Sequence, residues 1–252
     1  MVPAPVAHGP RPDQHVVFAV VTWNVHAGRA DLPRFVDDLT QGRLTGFPVR
    51  DYAILLQETI AGNKFDVVAL ARERQAWVYY TQVRESKQGP SGNAILTTLM
   101  PLTVQPIVLP RVRRVRKAII ASFEIEGQPM FIVDAHLENR TSWLQLALLS
   151  PEGRKRQADA LLRELPGGNG IVGGDLNTWL GPDEPAWRAL MQRFHDTPTD
   201  PAPPTFADRL ALDHLFFDLP SGWTATRWVV QERYGSDHHP LLGLVMAAGR
   251  PS

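Results

Sequence analysis

Polar groups capable of chemistry stand where apolar runs stop. Trp23-Asn24 follows the run at 16–22, Glu58 follows 52–57, His136 follows 130–135, and Asp175-Leu176-Asn177 follows 171–174. Asp213-His214 lies within 212–217, and Ser236-Asp237-His238-His239-Pro240 opens the last apolar run. A single Asp at a strand end is ordinarily a turn residue or a cap. A whole set of such groups in one chain can instead supply hard oxygen ligands, a base and an orienting carboxylate. Oxygen ligands without thiols favour Mg2+ or Mn2+ over structural zinc. Such a cation stabilises charge on a phosphoryl oxygen or leaving group. An imidazole beside carboxylates can take a proton from water. An Asn and a second His can donate hydrogen bonds to a crowded phosphoryl transition state.

The elements that must position these groups are mostly strands. VVFAVVT at 16–22 and YAILLQ at 52–57 read as buried strands. Further strands are expected at 77–83, 93–98, 103–109, 112–125, 130–136, 171–174, 212–217, 224–230 and 240–246. Helical spacing occupies 31–39, with Asp31 as N-cap and Pro33 in the first turn. Helices are also expected at 64–74, at 142–165 with a break near Pro151, and at 184–193. Short turns between strands imply antiparallel pairing, and strand–helix–strand units add parallel pairs. A mixed two-sheet sandwich covered by helices fits this order better than a barrel of regular strand–helix repeats.

The chain has 252 residues, no cysteine, and 26 Lys plus Arg against 26 Asp plus Glu, for a formal charge of zero. That length suits one large domain or two small ones. Zero cysteine excludes a disulfide framework, zinc fingers, thiol catalysis and iron–sulfur ligation. Balanced charge argues against a surface built throughout to hold nucleic acid. No run reaches the ~18 apolar residues of a membrane span. Residues 1–15, with Pro3, Pro5, Pro10 and Pro12 among polar neighbours, read as a disordered tail rather than a signal peptide. Residues 16–246 read as one catalytic domain and 247–252 as a second tail. A cytoplasmic, monomeric protein is the corresponding expectation.

The motifs WNVHAG (23–28), LLQET (55–59), GNAILT (92–97), DAHLEN (134–139), GGDLNT (173–178), LDHLFF (212–217) and SDHHPLL (236–242) occur in this order. In them the chain resembles the endonuclease/exonuclease/phosphatase superfamily, whose members include DNase I-like nucleases, apurinic endonucleases and neutral sphingomyelinases. The resemblance spans about residues 16–246. It implies an α/β four-layer sandwich: two mixed, mainly antiparallel sheets packed face to face and flanked by helices.

The resemblance also implies roles. Glu58 is the principal ligand of Mg2+ or Mn2+, with Asn24 beside it and Asp237 joining through a water. His238 is the base or phosphate-contacting imidazole, and Asp213 orients it. Asp175 positions or deprotonates the attacking water, so both Asp175 and His238 stand as candidates for the base. Asn177 and His136 contact the scissile phosphate. SDH-x-P selects His238 over His239, which is read as a neighbour lining the pocket, and His214 is read as structural.

Other signals are weaker. Gly168 to Gly173 matches G-x-G-x-x-G but precedes a strand, so it is not a dinucleotide fingerprint. Asn139-Arg140-Thr141 is a glycosylation sequon read as coincidence. Arg111, Arg113, Arg114, Arg116 and Lys117 form either a solvated strand face or a phosphate-attracting rim, with Arg116 the best candidate to touch substrate. His26 is a further candidate, because two residues on from Asn24 it shares a face on an extended segment. Trp179 is a candidate to face the cleft, and Trp143 is read as packing.

The expected activity is a Mg2+- or Mn2+-dependent phosphoesterase, first of all a phosphodiester hydrolase using activated water. Its partner is a phosphate-ester substrate, with nucleic acid among the candidates. A sphingomyelin or phosphoinositide headgroup hydrolase is the alternative, although no long apolar loop is visible. An inactive binding module of the same fold would have lost members of the motif set, and all are present. A zinc hydrolase using His136, His238 and His239 lacks H-E-x-x-H or comparable ligand spacing.

Overall fold

The computed structural model describes residues 13–62, 66–139, 149–199 and 203–248. The tails at 1–12 and 249–252, the helix start at 142–148, Trp143 and residues 140–141 of the sequon lie outside the described residues.

In chain order the elements are β1 (Gln14–Asn24), α1 (Leu32–Thr40), β2 (Tyr52–Ile60), α2 (Val67–Glu73), β3 (Trp77–Ser86) and β4 (Gly89–Thr97). Then come β5 (Pro101–Leu109), β6 (Arg116–Ile125), β7 (Gln128–His136), α3 (Leu149–Glu164) and β8 (Asn169–Asp175). The last are α4 (Pro185–Arg193), β9 (Asp213–Asp218), β10 (Trp223–Val229) and β11 (Leu241–Ala248). Asp31 caps α1 through a bond from Arg34 N at 3.2 Å, as its position before Pro33 predicts. Asp66 caps α2, accepting from Val68 N at 2.8 Å, and residues 64 and 65 of the expected helix lie outside the described residues. Two boundaries shift outward from the expected ones: Gln14 and His15 belong to β1, and Ala247 and Ala248 to β11, because these end residues pair with one another across the ladder. The break foreseen near Pro151 is absent among the described residues, since Pro151 falls in the first turn of α3, where a missing N–H costs nothing.

The strands form a six-stranded sheet, β10-β11-β1-β2-β4-β3, and a five-stranded sheet, β5-β6-β7-β8-β9. All neighbours pair antiparallel except β1–β2, joined through α1, and β7–β8, joined through α3; β8 and β9 are joined through α4 and pair antiparallel. Three apolar cores separate four layers. One lies between the sheets, around Phe18, Val20, Leu55, Ile132, Ile171 and Leu215. A second lies under α1 and α2, around Trp23, Phe35 and Leu39. The third lies under α3 and α4, around Val133, Leu161 and Leu190. The expected four-layer α/β sandwich is therefore the observed architecture. Among the described residues no helix is long and apolar enough to cross a membrane.

The two-residue period of the strands aims the polar groups. On β1, Phe18 and Val20 face the other sheet, so Thr22 and Asn24 do too. On β2, Ala53 and Leu55 place Gln57 on that face, and on β7, Met130 and Ile132 place Asp134 and His136 there. On β8, Ile171 places Asp175; on β9, Leu215 and Phe217 place Asp213. Burying the apolar part of each inner face thus forces the polar end of each strand towards the opposite sheet. Packing of the core and construction of the site are one event.

Candidate active site

The site forms at one end of the sandwich, where the parallel strands finish. His136 pairs with Asp175 across β7–β8, and Asp175 pairs with Asp213 across β8–β9, so three ionisable residues stand in one row. The close spacing of β7 and β8 needs Gly174. Its φ is 154°, and a Cβ there would lie 1.7 Å from the Ala135 carbonyl oxygen. The opposite wall comes from the ends of β1 and β2. There the β2–β4 register shifts between Leu56 and Thr59, and Glu58 takes a left-handed φ of 59°. Such a bulge re-aims a side chain at the cost of local strain. Asn177 has a φ of 52° in the turn after β8. His26 has a φ of 48° in the turn after β1, so the extended geometry expected to carry it to the same face as Asn24 is not the one observed; it, Glu58 and Asn177 all border the same cleft.

That cleft has a volume of about 200 Å³ and is lined by Asn24, His26, Glu58, Asp175, Asn177, Asp237 and His238 among others. Asp175 is 2% exposed. Its Oδ2 accepts from Asn24 Nδ2 at 3.0 Å and its Oδ1 from Asn177 N at 3.1 Å. His136 Nε2 lies 3.6 Å from the same Oδ2. Asn177 turns its amide to the Leu137 carbonyl at 3.3 Å. His238 Nδ1 lies 2.7 Å from Asp213 Oδ2, with both side chains buried. Asp213 N in turn donates to Thr205 Oγ1. Ser236 fixes the loop before β11: its hydroxyl donates to the Asn24 carbonyl at 2.6 Å and accepts from His238 N at 3.1 Å. His26 Nδ1 meets Asp237 Oδ1 at 2.8 Å at the partly exposed mouth.

The charges follow from this packing. Burial, reinforced by the neighbouring Asp213 carboxylate, pushes Asp175 up to about 6. Burial alone would depress His238, but Asp213, Asp175 and Asp237 outweigh it and raise the imidazolium to about 10. His136 is held well below its ordinary value by burial and by the charges of Arg116 and His238, so it is neutral. At neutral pH the cleft therefore presents a carboxylate at Asp175 beside an imidazolium at His238. Behind them, Asp134 is fully buried and its Oδ1 accepts from Gln57 Nε2 at 2.7 Å. Burial raises Asp134 well above the carboxylate range, against the Gln57 bond.

Two sets of donors could hold a cation. Asp175, Asp213 and His238 offer atoms all within 4.8 Å of one another. The short His238–Asp213 bond already uses Nδ1, so a cation there would compete with it. Glu58, Asn24 and Asp237 line the same cleft and offer oxygen only, the donor type that hard divalent cations take. Asn24 Oδ1 accepts one bond, from His26 N at 3.0 Å, and keeps a second lone pair.

All ten sequence-nominated residues are near this end of the fold. Arg116 lines a second, adjoining cleft that shares Glu58 and includes His136. His239 departs from its expected place in the pocket wall. It does not line the cleft but turns to the Val230 carbonyl and Asp208. His214 bonds Thr178 Oγ1 at 2.6 Å behind the GDLNT turn, and burial lowers it to about 4. Trp179 does border the cleft. Sequence reasoning missed Phe206, whose ring centre lies 4.8 Å from that of His238 in a tilted contact and 6.1 Å from that of Trp179 edge to face. It also assigned no role to Glu138, Gln57, Ser236 and Thr205. Glu138 in DAHLEN, Gln57 in LLQET and Ser236 in SDHHPLL lie within the motifs, and only Thr205 had no local signal.

Comparison with known proteins bears on the fold and the family. No curated protein matches the chain at the sequence level. Among solved structures it is similar to an endonuclease/exonuclease/phosphatase from Beutenbergia cavernae, with TM-score 0.67 and 19% identity over 92% of this chain and 72% of that one. It is similar to the human Nocturnin catalytic domain with bound sulfate, with TM-score 0.67 and 18% identity over 94% of this chain and 97% of that one. It is also similar to sphingomyelinase C from Streptomyces griseocarneus, with TM-score 0.62 and 17% identity over 90% and 98%. These likenesses establish the fold. The profile of the Endonuclease/Exonuclease/phosphatase family matches residues 21–238, most of the chain, and the protein belongs to that family.

Proposed function

We propose that the protein is a divalent-metal-dependent phosphodiester hydrolase acting by in-line attack of water. The observation that carries this reading is the convergence of Asp175 and His238 with Glu58 on one cleft, the first two with opposite charges at neutral pH. Asp175 accepts the proton of the attacking water, and Asn24 and Asn177 hold its two oxygens in place. His238, anchored at Nδ1 by Asp213, donates from Nε2 to a phosphoryl oxygen. Neutral His136 and the Asn177 amide contact the scissile phosphate. His26 contacts the substrate at the mouth of the cleft, and Arg116 contacts it from the adjoining cleft. Glu58 would be the principal residue to hold Mg2+ or Mn2+, with Asn24 and Asp237 as the further oxygen donors of the same cleft. When bound, that cation neutralises charge on the phosphoryl oxygen and the leaving group. Trp179, Phe206 and Leu212 form the apolar part of the wall and limit water.

The test is an activity panel with Mg2+ or Mn2+ on plasmid DNA, abasic duplex, RNA, sphingomyelin, phosphoinositides and bis(4-nitrophenyl) phosphate. The expected result is turnover of at least one diester, lost in His238→Ala and Asp175→Asn. Turnover that persists undiminished in both variants overturns the assignment.

A further inference from the structure

The second cleft, of about 360 Å³, opens beside the catalytic one and shares Glu58 with it. Arg84, Arg111, Arg113, Arg114, Arg116 and Lys117 line it, and Glu58 is its sole acidic wall residue. In a chain of zero net charge this is a strong local concentration of cations. Arg84, Arg111, Arg113 and Arg114 are exposed. They make no ion pair among the described residues. Among the described residues, then, their charge is not spent on an ion pair.

The loop that carries them is built rather than merely solvated. Buried Glu138 accepts from the backbone N–H of Arg113 at 3.0 Å and of Arg114 at 2.8 Å. Gln157, on α3, donates to the Pro110 carbonyl at 3.0 Å and accepts from Glu138 N at 2.8 Å. Two fully or almost fully buried side chains thus clamp a segment whose own arginines repel one another. Arg116 is 8% exposed, and its Nε has no hydrogen-bond partner among the described residues. Its closest counter-charge is Glu138 at 3.6 Å, and that carboxylate already accepts three backbone N–H bonds. A strand face that only meets solvent needs no such clamp. A cationic wall on a backbone held in place, with Arg84, Arg111, Arg113 and Arg114 free of ion pairs among the described residues, is what an anion requires, because part of the ordering cost is met in folding and not in binding.

We infer that this cleft binds a second phosphate group of the substrate molecule, one that is not cleaved, next to the diester held at Asp175 and His238. The inference rests on the phosphodiesterase reading for the neighbouring cleft. The second phosphate belongs either to the next link of an oligonucleotide or to a small ester bearing two phosphates. The link presents a monoanionic diester and the small ester a monoester of one to two charges, and both offer non-bridging phosphoryl oxygens to the guanidinium forks.

Calorimetric binding in Mg2+, on the His238→Ala full chain to prevent turnover, separates these cases. The ligands are a thymidine dinucleotide with no terminal phosphate, with a 5′-phosphate, and with a 3′-phosphate, and a single-stranded twelve-mer. One of the phosphorylated dinucleotides is expected to bind about tenfold tighter than the unphosphorylated one, the order expected of one charge-assisted contact. Introducing Arg111→Ala and Arg114→Ala should bring that ratio towards one. A ratio near one before those changes, or a ratio that survives them, overturns the inference. A twelve-mer that binds tighter still, with a steeper salt dependence, assigns the group to a nucleic-acid strand. A twelve-mer no tighter than the dinucleotide assigns it to a small ester. Both of these support the second-phosphate site. Diester hydrolysis by the unmodified chain without any preference for a second phosphate defeats this inference alone. A preference in binding without hydrolysis of any diester defeats the catalytic reading alone.

Discussion

His238 Nδ1 stands 2.7 Å from Asp213 Oδ2, and the aspartate has no exposed surface. The carboxylate therefore fixes both the orientation and the charge of the imidazole. Asp213→Asn should keep the shape and lose the charge. We expect kcat to fall by about 10²–10⁴-fold, the range for loss of a positioned acid–base partner. The alkaline limb of the rate profile should move down from about 10 towards the ordinary histidine value. Steady-state kinetics against pH checks both, and an unmoved alkaline limb refutes the role given to Asp213.

Asp175 and His238 should together set a bell. Activity falls as pH drops through about 6, because protonated Asp175 cannot accept a proton. It falls again as pH rises through about 10, because neutral His238 no longer donates from a charged ring. The measurement is kcat/KM over this range with a substrate whose own ionisation is constant. A profile with no acidic limb removes Asp175 as the base.

Asp134 predicts a stability effect of definite sign. Its folded pKa lies well above the ordinary carboxylate value, so the folded chain keeps a proton that the unfolded chain has lost. Stability therefore drops as pH rises above about 4, by up to about 1.4 kcal/mol per pH unit while that imbalance lasts. Asp134→Asn retains an amide able to bond Gln57 and carries no charge. Urea midpoints from pH 4 to pH 8 should show the variant gaining on the parent as pH increases. Parallel curves would show that Asp134 carries no such penalty.

Gly174→Ala should be severely destabilising. A Cβ there would lie 1.7 Å from the Ala135 carbonyl, within the β7–β8 ladder that aligns His136 with Asp175. We expect a loss of more than about 3 kcal/mol, in the range of overpacking combined with backbone strain. Thermal unfolding reads it directly, and a near-parental midpoint contradicts the close approach.

Much of this was legible in the sequence because apolar strands and their polar ends are contiguous there. VVFAVVT running into Trp23-Asn24, or MFIVDA into His136, carries both the strand and its chemistry in one stretch. The alternation that aims Asn24 and His136 inward is readable for the same reason. Other features depend on contacts between distant segments. Phe206 reaches His238 from a loop whose sequence has no catalytic signature. Glu138 gains its meaning from Arg113 and Arg114, more than twenty residues away. The left-handed φ of Glu58 arises from a register shift against β4, which no local pattern in LLQET announces. His239 turns outwards because Val230 and Asp208 hold it, a choice invisible in the doublet His238-His239.

The most direct test of the account is hydrolysis of bis(4-nitrophenyl) phosphate by chelator-stripped protein titrated with Mg2+, Mn2+ and Zn2+, with Glu58→Ala and His238→Ala alongside. The account predicts no turnover without a divalent cation, recovery with Mg2+ or Mn2+, and no recovery in either variant. Turnover that persists in chelator, or that returns with Zn2+ but not with Mg2+ or Mn2+, contradicts it.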